Sequence, residues 1–379
     1  MQKEFIGKGS LNKIKCIVNE IKPKKILLIT GKKSFLSSGA SNKINSLLRN
    51  FNIIIFNDFQ SNPKIEDVKC GIGLFKSYNP DLIIAIGGGS AIDMAKMINI
   101  LSVQKDSKLT DYIKNPLLIK RRGIPLVAVP TTIGTGSEST QFSVLYVKKV
   151  KYSLSHQFMM PDYAIIDAEL SFNLPEHIAA ASGMDALSQA VESYWAVKST
   201  KESKQYASEA ITLALSSLKG AVLGDKKSIE EMSKAAHLSG RAINITTTTA
   251  PHALSYPITT YFGLQHGHAV ALTLGNFFII NFDVDDDNIN DCRGVKYLKK
   301  IMRELYNMFG VSSSLECKDK WYAIMKEIGL DSDMEKIGIT TKLEMDKIVD
   351  NINLQRLKNN PVRVNKRQLY KLLSNNVTC

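Results

Sequence analysis

The chain has 379 residues, of which 44% are hydrophobic and 22% are charged, and its formal net charge is +13. At about 100–200 residues per domain this length predicts two domains, and the composition excludes a disordered, collagen-like or disulfide-stapled miniature protein. No apolar run approaches the roughly 18–20 residues that span a bilayer, and the N-terminal residues lack the apolar stretch of a signal peptide. We therefore expect a cytoplasmic protein with no membrane partner.

The positive charge admits three interpretations: a polyanionic partner such as nucleic acid, a small anionic substrate, or a solvated lysine-rich surface. The sequence shows neither an aromatic-interleaved basic face nor a known nucleic-acid-binding module. We therefore favour the lysine-rich surface and expect no nucleic-acid partner.

The five cysteines are scattered, odd in number, and form no C-x-x-C pair. This pattern indicates free thiols in a reducing compartment rather than a disulfide framework or a zinc knot. The residues are Cys16, Cys70, Cys292, Cys317 and Cys379.

Short, almost continuously apolar runs alternate with helical patterns in the first half of the chain. The runs that predict buried strands are Lys25–Thr30, Ile53–Phe56, Leu82–Ile86 and Leu126–Val129. The helical patterns between them lie near residues 41–50, 64–78 and 91–104. Such an alternation is typical of a Rossmann-like, doubly wound parallel sheet covered on both faces.

The pattern changes twice after that sheet. Residues 142–167 (FSVLYV, a basic turn, YSLSH, then YAIID) predict a β-hairpin followed by one more strand. Residues 176–249 and 296–379 show helical periodicity, and the acidic run Asp283–Asp287 predicts an exposed loop. We therefore predict an α/β domain over residues 1–170 and an all-helical domain over 171–379.

Two glycine-rich loops follow consecutive predicted strands. Leu82–Ile86 leads into Gly87-Gly88-Gly89-Ser90 and a helical run, and residues 129–138 (VPTTIGTGSE) follow the next strand. Glycines let backbone N–H groups approach a phosphate, and a helix N-terminus adds partial positive charge. Ile92 occupies the last glycine position of the usual dinucleotide fingerprint, so the alternative interpretation is a plain strand-to-helix turn that binds no phosphate. Together the two loops predict one ligand crevice.

A possible metal site comes from three distant segments. Asp185 and Gln189 share one helical face at i and i+4, and His252 and His266 follow far downstream, with His268 two residues on. A carboxylate with two imidazoles suits Zn²⁺ or Fe²⁺ with an open position, where the ion can polarise a carbonyl oxygen. The alternative is that these histidines have a structural role and bind no metal.

Together these motifs resemble the iron-containing (group III) alcohol dehydrogenases. The matching segments are GGGSAIDMAK (87–96), PTTIGTGSE (130–138), DAEL (167–170), GMDALSQAVE (183–192), PHALSYP (251–257) and QHGHAVAL (265–272). The resemblance covers about residues 85–275. It implies the dehydroquinate synthase-like fold of that family, with an α/β dinucleotide-binding domain and an all-α metal-binding and substrate domain. It also implies an NAD(P)-dependent enzyme that interconverts an aldehyde or ketone and an alcohol. We further expect a homodimer.

The resemblance also assigns roles to single residues. It implies a catalytic and metal-binding group of Asp185, His252 and His266. The cofactor residues that it implies are Gly88, Gly89, Ser90 and Asp93 at the pyrophosphate, Thr131, Thr132 and Thr135 along the cofactor, Lys151 at the ribose and Asn62 near the adenosine.

Two positions depart from the family pattern. Gln189 stands where the family has a histidine ligand, so Fe²⁺ should bind less tightly and Zn²⁺ becomes possible. Related glycerol dehydrogenases hold zinc with one Asp and two His, so three ligands can suffice. Tyr256 stands where many members have a histidine near the substrate. It can relay a proton only if its pKa falls from about 10; otherwise it packs in the pocket.

The cofactor choice depends on the residues after the first predicted buried strand. NAD-preferring members have an aspartate there, whereas this chain has Gly31, with Lys32, Lys33 and Ser34 next to it. The loss of a negative charge and the gain of positive charges favour the binding of the 2′-phosphate of NADP(H). We therefore expect NADP(H) rather than NAD(H) as the cofactor. The alternative is that both lysines point to solvent.

Within the family, the segments around His252 and His266 resemble phosphonoacetaldehyde reductases, which make 2-hydroxyethylphosphonate in phosphonate biosynthesis. Cationic side chains favour the binding of a dianionic substrate, and the candidates are Arg241 and His268, which flank the metal-binding segments. The alternative for Arg241 is a surface ion pair. Three other functions stay open: a dehydrogenase of neutral alcohols or diols, a metal-dependent sugar-phosphate cyclase of the dehydroquinate-synthase type, and a non-enzymatic nucleic-acid binder.

Overall fold

The computed structural model describes residues 2–148 and 150–374. The chain folds as two compact units, Met1–Leu174 and Pro175–Cys379, which divide close to the boundary that we predicted after residue 170. Four cysteines within the described residues are free thiols (Cys16, Cys70, Cys292 and Cys317), whereas Cys379 lies outside them.

The first unit is built on a parallel sheet. Its strands are β1 (Lys3–Ile6), β2 (Lys25–Thr30), β3 (Asn52–Phe56), β4 (Leu82–Gly87), β5 (Leu126–Pro130), β6 (Phe142–Val147), β7 (Val150–Ser155) and β8 (Tyr163–Ile166). Its helices are α1 (Ile14–Ile21), α2 (Ser34–Ser37), α3 (Ala40–Leu47), α4 (Ile65–Tyr78), α5 (Gly89–Ser102) and α6 (Leu109–Lys114).

Six strands form this sheet in the order β1-β8-β5-β4-β2-β3, and every pair is parallel. The four strands and the doubly wound architecture that we predicted are confirmed, but only β2, β4 and β5 are buried along nearly their whole length. β3 lies at the sheet edge, where Ile55 is 47% exposed and only Phe56 is buried, so the prediction that it is a buried strand was wrong.

Alternate residues face opposite sides, so Leu27 and Ile29 of β2 pack in the core with α4 and α5. Ile26 and Leu28 pack in the second core with α1 and α3. This two-sided burial explains why β2 has no polar alternation.

The segment after β5 contains the predicted hairpin. β6 and β7 pair antiparallel in a separate two-stranded sheet, with Phe142 opposite Ser155, and β8 then returns to the main sheet beside β5 and β1. The short strand β1 was not predicted, because its four residues lie at the sheet edge and none of them is buried.

The second unit is helical, as predicted. Its helices are α7 (Glu176–Trp195), α8 (Lys201–Val222), α9 (Lys226–Thr246), α10 (Ala250–Phe262), α11 (His266–Phe282), α12 (Val295–Phe309), α13 (Ser314–Glu327), α14 (Lys342–Val349), α15 (Leu354–Leu357) and α16 (Lys366–Ser374). Helix α7 is buried around most of its circumference and packs against α8, α9 and α11. None of the described helices is long and apolar enough to cross a bilayer.

Candidate functional site

The first candidate site lies where β2, β4 and β5 end side by side. Thr30 of β2 pairs with Ile86 of β4, and Gly87 pairs with Pro130 of β5. The three loops that follow these strands therefore meet at one edge of the sheet, as the predicted ligand crevice requires. Gly31 N donates to Ile86 O (3.1 Å), which ties the first of these loops to β4.

Glycines allow the loops to approach one another this closely. A Cβ atom on Gly87 would lie 2.7 Å from Ala91 Cβ and 3.1 Å from Gly31 N. A Cβ atom on Gly89 would lie 2.9 Å from Thr135 Cγ2, and one on Gly88 would lie 3.2 Å from Thr132 Cγ2. The predicted residues of both loops are therefore neighbours only because these positions lack side chains.

Two hydroxyl groups in this cradle suit a bound anion. The Oγ1 atoms of Thr131 and Thr132 are buried and make no hydrogen bond within the protein. Buried hydroxyl groups ordinarily have a partner, and helix α5 begins in the neighbouring loop, which follows β4. The phosphates of a dinucleotide supply the missing acceptors, so these residues fit an NAD(P) cofactor.

The remaining predicted cofactor residues surround the cradle. Asn62 adopts a left-handed conformation (φ 63°), and its N–H donates to Ser90 Oγ (3.3 Å). Asp93 accepts from Ser137 Oγ (2.7 Å) and Val144 N (3.0 Å), and burial raises the pKa of its carboxyl group. Asp93 thus fixes the second glycine-rich loop.

Ser34 and Lys151 complete the predicted set. Ser34 begins α2, and a Cβ atom on Gly31 would lie 2.2 Å from its Oγ. Lys151 lies on β7, close enough for its charge to favour the ionised form of Asp93.

Lys96 is a structural residue of this site that we did not single out from the sequence. Its fully buried ammonium group donates to the carbonyl oxygens of Ser137 (2.6 Å), Thr140 (2.7 Å) and Phe142 (2.9 Å). Burial lowers the pKa of Lys96 to about 8. One side chain of α5 thereby anchors the segment between β5 and β6. The signal in the sequence was a lysine within an otherwise apolar helical run.

The second candidate site lies among α7, α10 and α11. The potential ligand atoms of Asp185, His252 and His266 lie within 4.8 Å of one another. His252 Nε2 is 3.4 Å from Asp185 Oδ1, and the two imidazole rings have centroids 5.3 Å apart. Asp185 Oδ1 is buried without a hydrogen bond. One carboxylate and two imidazoles facing one point fit a divalent ion such as Zn²⁺ or Fe²⁺.

Glu192 orients His252 from the side opposite Asp185. Its carboxylate is fully buried and accepts from His252 Nδ1, and also from Thr249 N (2.8 Å) and Thr249 Oγ1 (2.9 Å). An ionised carboxylate only accepts, so Nδ1 carries the proton and Nε2 offers its lone pair towards Asp185. Burial disfavours the charged imidazole, but Glu192 and Asp185 outweigh burial and raise the pKa of His252 above 6.5.

Gln189 and Tyr256, the two departures from the family pattern, are both buried beside this group. Gln189 Oε1 accepts from Ser239 Oγ (3.1 Å) one turn along α7 from Asp185. Tyr256 Oη accepts from Arg356 Nε (2.9 Å), and the Tyr256 ring lies 6.1 Å from the ring of His266. Arg356 was not predicted, and its place in the short helix α15 gave no signal in the sequence.

The two cations predicted for substrate binding contact groups outside the metal-binding residues. His268 follows His266 by two residues, about 200° around α11, and its Nε2 contacts the backbone oxygen of Asp331 (2.6 Å). Arg241 follows Ser239 by the same step on α9, and it donates to Tyr206 Oη (2.7 Å) of α8. Arg356 contacts Tyr256 beside the metal group, and the substrate-binding roles of Arg241 and His268 stay predictions.

Both units match known proteins in sequence. Residues 2–168 match the family described as iron-containing alcohol dehydrogenase, and residues 179–377 match its C-terminal domain. The NADPH-dependent butanol dehydrogenase of Clostridium saccharobutylicum is 33% identical over 74% of this chain and 72% of its own length. The phosphonoacetaldehyde reductase of Streptomyces viridochromogenes is 33% identical over 61% of this chain and 60% of its own length.

Solved structures agree with the sequence matches. The sulfoacetaldehyde reductase of Bifidobacterium kashiwanohense in complex with NAD⁺ superposes with a TM-score of 0.88 at 27% identity, over 100% of this chain and 97% of that one. This confirms the predicted fold class. The family uses a divalent metal and NAD(P) to interconvert alcohols and carbonyl compounds. The chain belongs to the iron-containing alcohol dehydrogenases and is an oxidoreductase of this kind.

Proposed function

We propose that this protein catalyses the NAD(P)H-dependent, metal-assisted reduction of a small aldehyde, and that the aldehyde is phosphonoacetaldehyde, which gives 2-hydroxyethylphosphonate. The observation that carries the proposal is the convergence of Asp185, His252 and His266, with Tyr256 beside them. The phosphonoacetaldehyde reductase among the relatives supports the substrate, and the sulfoacetaldehyde reductase among the solved structures has a substrate of similar shape.

Each residue has a distinct role in this proposal. Asp185, His252 and His266 hold the ion, and Gln189 is a weaker fourth ligand through its amide oxygen. When bound, the ion polarises the carbonyl oxygen of the substrate, and the reduced nicotinamide is the hydride donor. We assign the proton relay to Tyr256 because its ring lies 6.1 Å from the ring of His266. In the other unit, Gly88, Gly89, Thr131 and Thr132 hold the phosphates of the cofactor.

The experiment is metal analysis of the purified protein combined with an NADPH-oxidation screen. We expect bound iron or zinc, oxidation stoichiometric with the reduction of phosphonoacetaldehyde, and loss of activity on chelation that added metal restores. Full activity after complete chelation would contradict the metal group. Preference for butanal or other neutral aldehydes would favour the neutral-alcohol alternative. A sugar-phosphate cyclase would consume no NADPH, because it recycles its cofactor.

We infer a preference for NADP(H) from the loop after β2. Gly31 leaves no carboxylate to bind a ribose 2′-hydroxyl, and Lys32 and Lys33 follow it. Lys32 Nζ lies 3.3 Å from Asp58, but both side chains are largely exposed, so this ion pair is weak. The relatives include an NADPH-dependent enzyme and one that binds NAD⁺.

We expect kcat/KM for NADPH to exceed that for NADH by about tenfold or more, equivalent to about 1.4 kcal/mol. The double variant Lys32→Ala and Lys33→Ala should reduce this ratio mainly by raising KM for NADPH. A tenfold preference of the wild type for NADH would contradict the inference. A homodimer and a cytoplasmic location belong to the same proposal; sedimentation of the holoenzyme tests the first, and the free cysteines support the second.

A further inference from the structure

Lys96 is a positively charged side chain that the first unit encloses completely. Its ammonium group lies within hydrogen-bonding distance of three carbonyl oxygens, those of Ser137 (2.6 Å), Thr140 (2.7 Å) and Phe142 (2.9 Å). An ammonium group has three N–H donors and no acceptor, so each donor finds one carbonyl oxygen. A neutral amine has only two N–H donors and would leave one of these oxygens without its partner.

The three carbonyl oxygens belong to the segment that continues the second glycine-rich loop. Ser137 N donates to Thr135 Oγ1 (3.3 Å), and Thr135 lies against Gly89, where an added Cβ would be 2.9 Å from Thr135 Cγ2. Gly89 begins helix α5, and Lys96 follows it by seven residues, about two turns along the same helix. Helix α5 therefore begins in the first glycine-rich loop and holds the second one through Lys96.

Asp93 makes a second connection between α5 and this segment, three residues before Lys96. Its carboxylate accepts from Ser137 Oγ (2.7 Å) and Val144 N (3.0 Å), and its backbone oxygen accepts from Ser143 Oγ (3.0 Å). Ser137 is therefore held at two points, by Asp93 at its hydroxyl group and by Lys96 at its carbonyl oxygen.

The charge of Lys96 is costly to keep in this position. Burial lowers the pKa of Lys96 to about 8, and the carboxylates of Asp93 and Glu138 offset only part of that effect. Lys151 of β7 in turn favours the ionised form of Asp93. The other elements packed against α5, which include α4, β4 and β5, contribute apolar side chains to the core around it. An apolar side chain would fill the same space without this cost, so the donors of the ammonium group, rather than its volume, explain a lysine here.

We propose that Lys96, as the ammonium ion, is a positioning residue for the nicotinamide cofactor. It holds residues 131–142 against the start of α5, and so keeps Gly89 at the distance from Thr131 and Thr132 that the phosphates of the cofactor require. This inference rests on the proposed binding of those phosphates by the two glycine-rich loops. Lys96 itself is fully buried and acts on the cofactor only through the second loop.

The test compares Lys96→Met with Lys25→Met in the metal-loaded enzyme. Lys25 is a matched control because its Nζ also donates to a backbone oxygen, that of Tyr78 (2.9 Å), but at the opposite end of β2 from Gly31. For Lys96→Met we expect Kd for NADPH, measured by fluorescence titration, to rise about 10- to 100-fold, because three charge-assisted hydrogen bonds to the loop are lost. KM for NADPH should rise with Kd, whereas kcat at saturating NADPH and the metal content should change little. Lys25→Met should change none of these values appreciably.

Cofactor affinity of the folded variant distinguishes positioning from a contribution to stability alone. If Lys96 only stabilised the fold, folded Lys96→Met would bind NADPH with the wild-type Kd and its unfolding midpoint alone would fall; that result would overturn the proposal. Lys96→Gln keeps two N–H donors without the charge, and it is the second variant if Lys96→Met does not fold. We expect its Kd for NADPH to rise about tenfold, and an unchanged Kd would equally contradict the proposal.

The pH dependence of cofactor binding adds a readout that is specific to the charge. Because the pKa of Lys96 in the folded protein is about 8, the ammonium group is present at pH 7 and loses its proton as the pH rises through 8. We expect the wild-type Kd for NADPH to rise about tenfold between about pH 7 and pH 9.5, with no such rise in Lys96→Met. A rise of equal size in both proteins would overturn the proposal, because another group would then cause it.

Binding without turnover also separates this inference from the proposed reaction. NADPH binding that is weakened in Lys96→Met, with no aldehyde reduced by the wild type, would contradict the reaction and support the role of Lys96. Aldehyde reduction by the wild type, with equal affinity of both proteins for NADPH, would support the reaction and contradict that role.

Discussion

Replacing Gly267 by alanine is expected to destroy the metal group. Gly267 follows His266 on α11 and faces α7, where an added Cβ would lie 1.9 Å from the carbonyl oxygen of Ala181 and 2.7 Å from Asp185 Cβ. Both neighbours belong to a buried helix and neither is the flexible end of a long side chain. Since non-bonded carbon atoms pack about 3.5–4.0 Å apart, α11 would have to move away from α7 by roughly 1 Å.

The expected result follows from that displacement. Moving α11 carries His266 away from Asp185, and metal ligation tolerates only about 0.5 Å of misplacement. We expect Gly267→Ala to lose bound metal and nearly all activity, and to lose about 3 kcal/mol of unfolding free energy through overpacking. Metal content by elemental analysis and urea unfolding of the metal-free protein measure the two effects separately.

The matched control is Gly73→Ala on the exposed face of α4, where an added Cβ meets no atom within 4 Å. This variant should keep full metal content and activity, and gain up to about 1 kcal/mol of stability from higher helix propensity. Metal content of Gly267→Ala equal to that of the wild type would show that α7 and α11 can separate without harm to the site.

The sequence predicts the sheet well because its inner strands are buried on both faces. The sequences of β2, β4 and β5 are almost continuously apolar, and in an α/β chain such short runs indicate buried strands of a parallel sheet. The edge strand β1 (KEFI) lacks this signal, because its residues are exposed or only half buried. It becomes a strand through pairing with β8, a partner 160 residues later in the chain, and no local pattern encodes that pairing.

The candidate sites show the same division between local and distant information. Asp185, Gln189 and Glu192 lie at i, i+4 and i+7 on one face of α7, so helical periodicity alone could have added Glu192 to the predicted group. The same periodicity argues against His268, which lies two residues from His266 and therefore on another face of α11. Arg356 comes 100 residues after Tyr256 and reaches it only through the packing of α15. Sequence spacing carries no information on that contact.

Replacing Glu192 by glutamine is expected to weaken metal binding while leaving the fold nearly intact. The amide keeps the size of the carboxylate and still has one oxygen to accept from Thr249. Its NH₂ group then faces His252 Nδ1, which must become the acceptor, so the proton moves to Nε2, the atom that would bind the metal. The opposite orientation of the amide sets its NH₂ group against the two Thr249 donors. In the first orientation His252 loses the tautomer that binds the metal, and in the second the Thr249 donors lose their acceptor.

We expect metal affinity of Glu192→Gln to fall about 10- to 100-fold, the usual cost of losing the carboxylate behind a histidine ligand, and saturating metal to restore much of kcat. The midpoint of chemical unfolding of the metal-free protein should change little. Glu192→Ala should lose the same affinity and in addition about 2 kcal/mol of stability, because the Thr249 donors at the start of α10 lose their acceptor. The control Glu231→Gln alters a carboxylate that accepts from Ser217 and should leave metal affinity unchanged. If Glu192 served only to cap α10, Glu192→Gln would retain wild-type metal affinity, whereas a role in fixing the histidine tautomer requires the loss.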